Sequence, residues 1–386
     1  MPKRILFIYY QNLKPGGVAR VMINLANELC ENGYDISILF LMEGENTFYK
    51  INPKIKIHTV DSFGHWGVNK INPLLDKYLK KFRYRYNLKK YVYDFGQWDV
   101  MNEWLKKNHQ NYDVIISSWY KLSSQIAVNK EIAKKTLAWE HSNYEVGGKI
   151  WGDFLRPKYK NLAGIVCINK ASSNYYKTFN PNVYLIPNII GEPFESIKNI
   201  DFKSKESQLI YVGRLDQEKN VSAIINIISE IDLKDFRLKI IGEGSEMENL
   251  KKLVEEKKLE SKVIFTGRLP INEIKNELLK SKIFLFTSIN EAFGMVLLEA
   301  IFCGNALISY DCNYGPSDII NKNNGFLIPM NNQKKFQENL QNLIDKPDLL
   351  NELNQSSFQE SFNWRKNEAL IQWNKIINSI LNKRSV

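Results

Sequence analysis

The stretch RILFIYYQNLKPGGVAR, residues 4–20, is a strongly apolar run that ends in a pair of glycines. Its β-branched and aromatic residues predict a buried strand over residues 4–10. Apolar residues then recur at helical spacing from about Gly17 to Glu31. Gly16 and Gly17 would let a ligand approach the backbone where this helix presents its N-terminal amides. A tight turn without a ligand would explain the two glycines equally well.

The alternation of strand and helix continues along the chain and restarts near residue 209. The sequence predicts strands at residues 4–10, 36–41, 114–117, 164–168, 209–213, 237–242, 262–267 and 282–288. Strands that alternate with helices form parallel sheets covered on both faces. The irregular segment 186–208 is interpreted as a linker. The predicted fold class is therefore α/β, with two doubly wound domains and ligands at the carboxyl ends of the strands, in the cleft between the domains.

The composition, with 44% hydrophobic and 25% charged residues among 386, indicates a globular chain of two domains. The sequence has no run of about 18 apolar residues, and its first 17 residues have too short an apolar stretch for a secretory signal, so we expect a cytoplasmic protein. The four histidines show no metal-ligand spacing. Four scattered cysteines suit small core residues better than disulfides or zinc ligands: Cys30, Cys167, Cys303 and Cys312.

Positive charge is concentrated in the first half of the chain. Residues 1–190 contain 27 Lys and Arg against 15 Asp and Glu, a net charge of +12, whereas residues 191–386 have a net charge of −1. Much of the excess lies in segment 74–95, whose basic residues are Lys77, Lys80, Lys81, Arg83, Arg85, Lys89 and Lys90. They alternate with aromatic residues, a pattern that suits an anionic membrane surface, where each cation contributes roughly 1 kcal/mol.

Two other interpretations of segment 74–95 stay open. Nucleic acid is another polyanion that attracts basic residues. A solvated basic helix is the simplest interpretation, because Tyr78, Phe82 and Tyr86 are spaced four apart and could pack inward. We expect contact with an anionic membrane and no binding of nucleic acid.

The stretch GRLDQEKN, residues 213–220, occupies the same place in the second half of the chain as the glycine pair does in the first. Arg214 offers a planar guanidinium and Lys219 a point charge, both near the start of a helix. This arrangement suits a diphosphate. Two solvated surface cations are the alternative. Neither glycine loop matches GxxxxGK[ST] or GxGxxG.

The stretch NEAFGMVLLEA, residues 290–300, places Glu299 among apolar neighbours. A helix that is apolar on every side is normally buried, and a buried carboxylate needs a partner. If Gly294 begins the helix, Glu299 lies about one and a half turns in and could accept hydrogen bonds from paired hydroxyls such as those of a ribose. The amides expected to point at the same anion as the two cations are those of Phe293, Gly294 and Met295. A backbone cap or a buried lysine is the alternative partner for Glu299.

The stretch LAWEHSNYE, residues 137–145, is expected to follow a strand of the first domain. His141 would then face the cleft from the side opposite to Glu291, which precedes the Glu299 helix. A single histidine is more often structural than functional, and its spacing does not decide between the two.

Five motifs occur in a fixed order: GGVAR at 16–20, GRLDQEKN at 213–220, IIGEGSEMENL at 240–250, VIFTGRL at 263–269 and EAFGMVLLEA at 291–300. Together they resemble the retaining glycosyltransferases of family 4, which have the GT-B fold. The most specific element is the E-x7-E signature of Glu291 and Glu299. The resemblance implies an acceptor-binding domain at 1–190, a nucleotide-sugar-binding domain at 191–365, and a helix at 366–386 that crosses back to the first domain.

The resemblance also implies a role for each candidate residue. Arg214 and Lys219 would bind the diphosphate and stabilise the negative charge that develops as it departs. Gly16 and Gly17 would close over the diphosphate from the first domain.

Other roles implied by the resemblance concern the sugar and the base. Glu299 would hold the ribose hydroxyls, and Glu291 would contact hydroxyls of the transferred sugar. His141 would lie beside the donor sugar and the acceptor, and Arg268 would meet the base.

The expected chemistry needs neither a metal nor a cofactor. The sequence contains no D-x-D, the motif by which many other glycosyltransferases hold a divalent ion. Fixed cations and helix amides can stabilise the leaving diphosphate instead. Two flanking carboxylates of the glycosidase type are not evident. By family analogy we expect attack on the same face, assisted by the departing phosphate, with retention of configuration.

WEHSN at 139–143 and YGPSDIINKNNGFLIP at 314–329 look similar to bacterial enzymes that extend polyprenyl-diphosphate glycans, lipopolysaccharide or capsule. This resemblance implies a UDP-linked hexose or N-acetylhexosamine donor and a glycan or lipid-linked acceptor. It also implies a peripheral protein at the inner face of the cytoplasmic membrane. Two alternatives stay open: a UDP-sugar epimerase of the same fold, and a noncatalytic protein that binds membranes or nucleic acid.

Overall fold

The computed structural model describes residues 3–13, 16–42, 44, 48–79 and 85–382. The chain forms two compact units, which we call unit 1 (Met1–Ile186 with Leu370–Val386) and unit 2 (Pro187–Ala369). Each unit contains a parallel sheet and helices. The prediction of an α/β fold with two Rossmann-like sheets is therefore confirmed. Among the described residues, no helix combines the length and the hydropathy needed to cross a membrane.

Unit 1 is built on seven strands: β1 (Arg4–Tyr9), β2 (Asp35–Phe40), β3 (Lys56–Thr59), β4 (Val114–Ser117), β5 (Thr136–Glu140), β6 (Gly164–Cys167) and β7 (Val183–Leu185). They form one parallel sheet in the order β3-β2-β1-β4-β5-β6-β7. The helices of this part are α1 (Gly17–Glu31), α2 (Trp66–Tyr78), α3 (Arg85–Asn108), α4 (Tyr120–Ile126), α5 (Lys130–Ala133) and α6 (Lys170–Tyr176). Short 3-10 turns lie at His109–Asn111 and Arg156–Asn161, and a π-helical segment at Lys149–Leu155.

The central strands of unit 1 are buried because helices cover both faces of the sheet. Residues 5–8 of β1 and all of β4 are buried. A parallel sheet in this position requires continuous apolar strands rather than alternation, which is why both runs are recognisable in the sequence. Edge strand β3 is largely exposed and contains a single apolar residue, Ile57, so it carries no such signal.

Unit 2 has strands β8 (Gln208–Val212), β9 (Arg237–Ile241), β10 (Val263–Gly267), β11 (Ile283–Phe286), β12 (Asn290–Glu291), β13 (Ala306–Asp311), β14 (Asn313–Tyr314) and β15 (Gly325–Pro329). Six form a parallel sheet in the order β10-β9-β8-β11-β13-β15, and β12 pairs with β14 separately. The helices are α7 (Val221–Ile228), α8 (Met247–Glu256), α9 (Ile271–Lys280), α10 (Met295–Phe302), α11 (Pro316–Ile319), α12 (Gln333–Asp345) and α13 (Pro347–Glu360). Short 3-10 turns lie at Phe202–Ser204, Gln217–Lys219 and Ser361–Trp364.

The last helix, α14 (Lys366–Asn382), starts in unit 2, and its residues from Leu370 onward belong to unit 1. Within unit 1, Trp373 is completely buried and packs edge to face against Trp139 of β5, with ring centroids 5.0 Å apart. The hydroxyl of Tyr34 donates a hydrogen bond of 2.8 Å to the side chain of Asn374. Aromatic packing and hydrogen bonding thus anchor α14 on unit 1.

The observed helices and strands agree with most of the sequence predictions of local structure. All eight predicted strands are present, α1 has the predicted bounds, and the four cysteines are free and buried as expected. The placement of residues 137–145 after a strand is wrong, because residues 137–140 are themselves part of β5. The apolar run in that strand is only three residues long, between Thr136 and Glu140, which is too short to be recognised as a strand.

Segment 74–95 forms the end of α2 and the start of α3. Five of its basic and aromatic residues lie outside the described residues: Lys80, Lys81, Phe82, Arg83 and Tyr84. Tyr78 and Tyr86 are 71% and 81% exposed. The interpretation in which these two rings pack inward is therefore wrong.

Candidate active site

The loops that follow β8 and β11 meet at the carboxyl edge of the unit 2 sheet. β8 and β11 are adjacent and parallel, so their carboxyl ends lie side by side. The backbone N–H of Ile289 donates to the carbonyl of Glu218 (2.8 Å), and the hydroxyl of Thr287 donates to the carbonyl of Asn220 (2.9 Å). These hydrogen bonds hold the GRLDQEKN segment against the start of the E-x7-E segment.

A single 3-10 turn presents Lys219. The side chain of Asp216 accepts a hydrogen bond from the backbone N–H of Lys219 (3.2 Å) and so caps the turn. Asn220 ends the turn in the left-handed region with a φ of 49°, a conformation that asparagine tolerates better than most residues. The local sequence DQEKN therefore fixes where the Lys219 side chain begins.

Glu291 is held by a two-residue ladder. It belongs to β12, which pairs with β14 so that Glu291 lies opposite Tyr314. The backbone N–H of Gly315 donates to the Glu291 carbonyl (2.9 Å). A Cβ at position 315 would collide with the backbone of Phe293, so this close approach requires glycine. The ladder fixes the backbone of Glu291 next to the Lys219 turn.

Lys219 and Glu291 form an ion pair, with 2.6 Å between Nζ and Oε2. Their side chains are 16% and 21% exposed, so the pair is shielded from water but still reachable by a ligand. A charge-assisted hydrogen bond of this length is strong, and removal of one partner leaves the other charge poorly compensated. The structure thus brings together two residues that the sequence separates by 72 positions.

Arg214 extends from the same loop, and its side chain is 69% exposed. Its guanidinium pairs with Asp216 (2.5 Å) and Glu218 (3.5 Å). Exposed ion pairs contribute little free energy because water and salt screen them. The two carboxylates therefore orient the guanidinium while leaving it accessible to an anion.

Two glycines shape this edge of the sheet, and the sequence analysis assigned no role to either. A Cβ on Gly242 would overlap the Gly213 carbonyl oxygen, and a Cβ on Gly244 would overlap the Leu215 carbonyl oxygen. The N–H of Leu215 also donates to the Glu243 carbonyl (2.9 Å). The loop after β9 thus packs backbone to backbone against the loop that carries the two cations. The GEG triplet at 242–244 is the signal that could have revealed this contact.

Helix α10 starts where the sequence predicts it. Gly294 precedes the helix with a φ of 90°, and the first helical residue is Met295. Phe293 and Glu299 are buried, at 3% and 4% exposed. Arg268 is exposed and follows β10, whose carboxyl end lies at the same edge of the same sheet. The candidate residues of unit 2 therefore lie on segments that follow the strands of one parallel sheet.

The other three candidates lie in unit 1. Gly16 has an extended φ of −165°, which any residue can adopt, and a Cβ on Gly16 or Gly17 would meet nothing within 4 Å. The N–H of Gly16 donates to the hydroxyl of Tyr49 (3.2 Å). Neither glycine is required by the backbone conformation, and the room beside them is compatible with a ligand that approaches the main chain.

His141 follows β5 in unit 1, and its imidazole packs against Trp139 with centroids 4.4 Å apart. Burial lowers the pKa of His141 to about 3, so the ring is neutral at physiological pH. Within the described part of the chain, its Nε2 has no hydrogen-bond partner. A neutral imidazole can donate or accept a hydrogen bond but supplies no positive charge.

A buried polar cluster anchors the end of β5 beside His141. Glu140 accepts hydrogen bonds of 2.7 Å from the hydroxyls of Tyr159 and Tyr176. Burial raises the pKa of Glu140, although the nearby guanidinium of Arg156 opposes this change. No local sequence pattern points to this cluster, because its members come from three separate segments.

Two family descriptions together match most of the chain, one in each half. Residues 15–191 match "Glycosyltransferase Family 4", and residues 194–360 match "Glycosyl transferases group 1". The chain is a family 4 glycosyltransferase.

Relatives of this glycosyltransferase align over nearly its whole length. An α-1,4-N-acetyl-D-galactosaminyltransferase of Campylobacter jejuni, named for a diphospho-undecaprenol-linked acceptor, is 26% identical over 96% of this chain and 97% of its own. The amylovoran biosynthesis glycosyltransferase AmsD of Erwinia amylovora is 25% identical over 94% of this chain and 96% of its own.

Solved structures confirm the fold of the glycosyltransferase. A variant of S. aureus TarM in complex with UDP and other ligands has a TM-score of 0.73 at 15% identity, covering 97% of this chain and 100% of TarM. Anabaena HepE in complex with UDP and glucose has a TM-score of 0.72 at 15% identity, covering 98% and 100%. The predicted GT-B architecture of two Rossmann-like domains is thus confirmed.

We expect His141 to stay neutral between pH 8 and pH 5. Its pKa of about 3 lies below the ordinary value of 6.5, so its NMR signals should not titrate in this range. Since the unfolded chain takes up the proton first, the stability that this group contributes is present above about pH 6.5 and is lost as the pH falls towards 3. An imidazole titration of His141 with a midpoint near 6.5 would contradict the buried, neutral ring.

Proposed function

We propose that the protein is a retaining, metal-independent glycosyltransferase that moves a hexose or N-acetylhexosamine from a UDP-linked donor to a lipid-linked or glycan acceptor. The observation that carries the proposal is the Lys219–Glu291 pair at the carboxyl edge of the unit 2 sheet, with Arg214 on the same loop. Two cations can bind the diphosphate of a nucleotide sugar, and a carboxylate beside them can accept hydrogen bonds from the hydroxyls of its sugar.

In the proposed reaction, Lys219 and Arg214 bind the diphosphate. Negative charge grows on the diphosphate as the glycosidic bond breaks, and fixed cations stabilise it without reorganisation. The N-terminal amides of Phe293, Gly294 and Met295 add partial positive charge from the start of α10. These groups replace the divalent ion that other glycosyltransferases use.

The proposed roles of the two glutamates follow from their burial. Glu291 keeps Lys219 oriented in the absence of donor, and it accepts hydrogen bonds from hydroxyls of the transferred sugar when donor is bound. Glu299 is more deeply buried and binds the two ribose hydroxyls. Arg268 contacts the base at the end of β10. Gly16 and Gly17 approach the diphosphate through their backbone.

His141 is proposed to act as a neutral hydrogen-bonding group beside the donor sugar and the acceptor. Its lowered pKa makes the imidazole a weak base, so it does not take up the proton of the acceptor hydroxyl. The acceptor hydroxyl therefore loses its proton to the departing phosphate, on the face that the leaving group occupies. This sequence of events retains the anomeric configuration.

The choice of UDP is supported by the solved structures of TarM and HepE, both of which are complexes with UDP. The Campylobacter jejuni relative is named for transfer of N-acetylgalactosamine, which suggests an N-acetylhexosamine as the first donor to examine.

We expect calorimetric titration to show binding of UDP at micromolar concentration and much weaker binding of GDP. Tight binding of GDP with no binding of UDP would remove this choice of donor.

A membrane-associated acceptor is supported by a relative and by the surface of unit 1. The Campylobacter jejuni enzyme is named for a glycan on diphospho-undecaprenol. On α2 of this protein, Trp66, Lys70, Leu74 and Lys77 are exposed and recur three or four residues apart, so they share one face of the helix. An exposed face of apolar and basic side chains favours the interface of an anionic membrane.

Both carboxylates of segment 74–95 are paired with lysines other than those of the exposed α2 face, so that face keeps its positive charge. Asp76 pairs with Lys89 (2.6 Å), and Asp94 is buried against Lys121 (2.7 Å). The exposed lysines of the surface therefore face an anionic lipid headgroup without a competing carboxylate from this segment. We propose peripheral association at the inner face of the cytoplasmic membrane.

Lys219→Ala and Glu291→Ala should each lower transfer by about 100-fold or more, because each removes a charge that contacts the donor. UDP binding should weaken for Lys219→Ala but persist for Glu291→Ala, since the carboxylate is assigned to the sugar. Transfer is measured with a panel of UDP-sugars and bacterial lipid extract as acceptor, calorimetry gives the affinity for UDP, and circular dichroism checks the fold.

A second ion pair of unit 2 is a matched control. Lys239 and Glu277 are 2.5 Å apart and 18% and 17% exposed, nearly the same as the candidate pair. Lys239→Ala and Glu277→Ala should leave transfer within about twofold of the wild type, because only stability changes. Equal losses in both pairs would overturn the assignment. Interconversion of the UDP-sugar in the absence of any acceptor would favour the epimerase instead.

Replacing Lys70, Lys77 and Lys90 by Ser should weaken co-sedimentation with phosphatidylglycerol vesicles by about tenfold or more, since each cation near the surface contributes roughly 1 kcal/mol. Vesicles of phosphatidylcholine should bind poorly in all cases. A matched triple replacement in unit 2, at Lys251 and Lys252 of α8 and at Lys257 directly after it, removes the same charge from another exposed surface. Unchanged binding of the first variant, or equal loss in both, would refute the membrane surface.

A further inference from the structure

The orientation of His141 needs an explanation. A functional histidine is usually held by a hydrogen bond from one ring nitrogen to a carboxylate or a carbonyl. Within the described part of the chain, Nε2 of His141 is buried without such a partner. The ring instead lies against Trp139, with centroids 4.4 Å apart and planes at 49°. Packing against an indole is therefore what sets the direction of the imidazole.

Trp139 is itself held by the last helix. Trp139 and His141 are two residues apart on an extended segment, so their side chains leave the same face. On this face Trp373 of α14 packs edge to face against Trp139, at 5.0 Å and 70°. Both tryptophans are at most 1% exposed. The three rings form a continuous stack from α14 to His141, entirely within unit 1.

The two buried indoles cost more free energy than purely apolar side chains would cost at the same positions. The Nε1 of Trp139 and the Nε1 of Trp373 are both buried, and neither has a hydrogen-bond partner among the described residues. A buried N–H without a partner costs free energy that phenylalanine or leucine would not cost. What the indoles provide is a large, flat and rigid surface, which suits the positioning of another ring.

We propose that Trp373 is a positioning residue: through Trp139 it holds the imidazole of His141 in the direction that transfer requires. The proposal rests on the role proposed above for His141. It gives the C-terminal helix a part in the reaction through a contact inside unit 1. Misplacement of a hydrogen-bonding group lowers turnover more than it lowers ground-state binding.

The test compares Trp373→Leu, Trp373→Phe and Ile380→Ala in the full chain. Ile380 is another buried residue of α14, two turns or roughly 10 Å further along the helix. Turnover is measured with UDP-N-acetylgalactosamine and bacterial lipid extract, and UDP affinity by calorimetry. The chain has only four histidines, so the imidazole NMR signals of each variant can be assigned individually.

We expect Trp373→Leu to shift the His141 signal and to lower kcat by about tenfold, with the affinity for UDP unchanged. Trp373→Phe keeps an aromatic ring and should restore most of the turnover. Ile380→Ala should lower the melting temperature without moving the His141 signal. An unshifted His141 signal and an unchanged kcat in Trp373→Leu would overturn the positioning role.

The outcomes also separate this inference from the proposed function. A shifted His141 signal in Trp373→Leu, with full turnover in His141→Ala, would mean that the stack holds the ring but the ring has no role in transfer. That result would remove His141 from the proposed function and Trp373 with it. Loss of turnover in His141→Ala but not in Trp373→Leu would contradict only the positioning role of Trp373.

Discussion

The half-buried ion pair between Lys219 and Glu291 is the interaction that joins the two loops of the candidate site in unit 2. A lysine and a carboxylate at 2.6 Å with so little exposure require both of the loops that carry them to be fixed. The Asp216 cap and the left-handed Asn220 fix one loop, and the β12–β14 ladder fixes the other. Neither loop depends on the charges themselves. The scaffold therefore brings the two groups together before any substrate is present, which is the condition for electrostatic stabilisation without reorganisation.

The two units orient their candidate functional side chains by different interactions. Unit 2 concentrates charge at the carboxyl edge of its sheet. Arg214 is exposed and accessible to a ligand, whereas Lys219 is shielded and already oriented by its ion pair. Unit 1 places a neutral histidine at the end of β5 and packs it against the ring of Trp139. A charged group can be oriented by an ion pair, whereas a neutral ring has to be oriented by shape. The stack of rings reaching from α14 to His141 follows from this difference.

The sequence predicted the fold and the start of α10, for identifiable reasons. Strands such as β1 and β8 are continuous apolar runs because both faces are covered, and Gly294 marks the start of α10 because its φ of 90° favours glycine. The edge strands β3 and β7 were missed because they are short and partly exposed. Long-range contacts were also missed: the pairing of Trp139 with Trp373 and the hydrogen bonds of Glu140 join segments that no local pattern connects. The exposure of Tyr78 and Tyr86 likewise depends on how α2 and α3 pack, which their spacing does not reveal.

The backbone contact between the loops after β8 and β9 has a consequence for how sequence variation in this enzyme is interpreted. Gly242 and Gly244 admit no side chain, because the Gly213 and Leu215 carbonyls occupy the space. Almost any replacement there would displace the loop that carries both cations and abolish activity in a saturation mutagenesis experiment. Such intolerance would look like substrate contact, although the constraint is steric and arises inside the protein. Engineering of the proposed donor preference is therefore better directed at exposed positions of this edge, such as Arg268, than at the residues that tolerate least change.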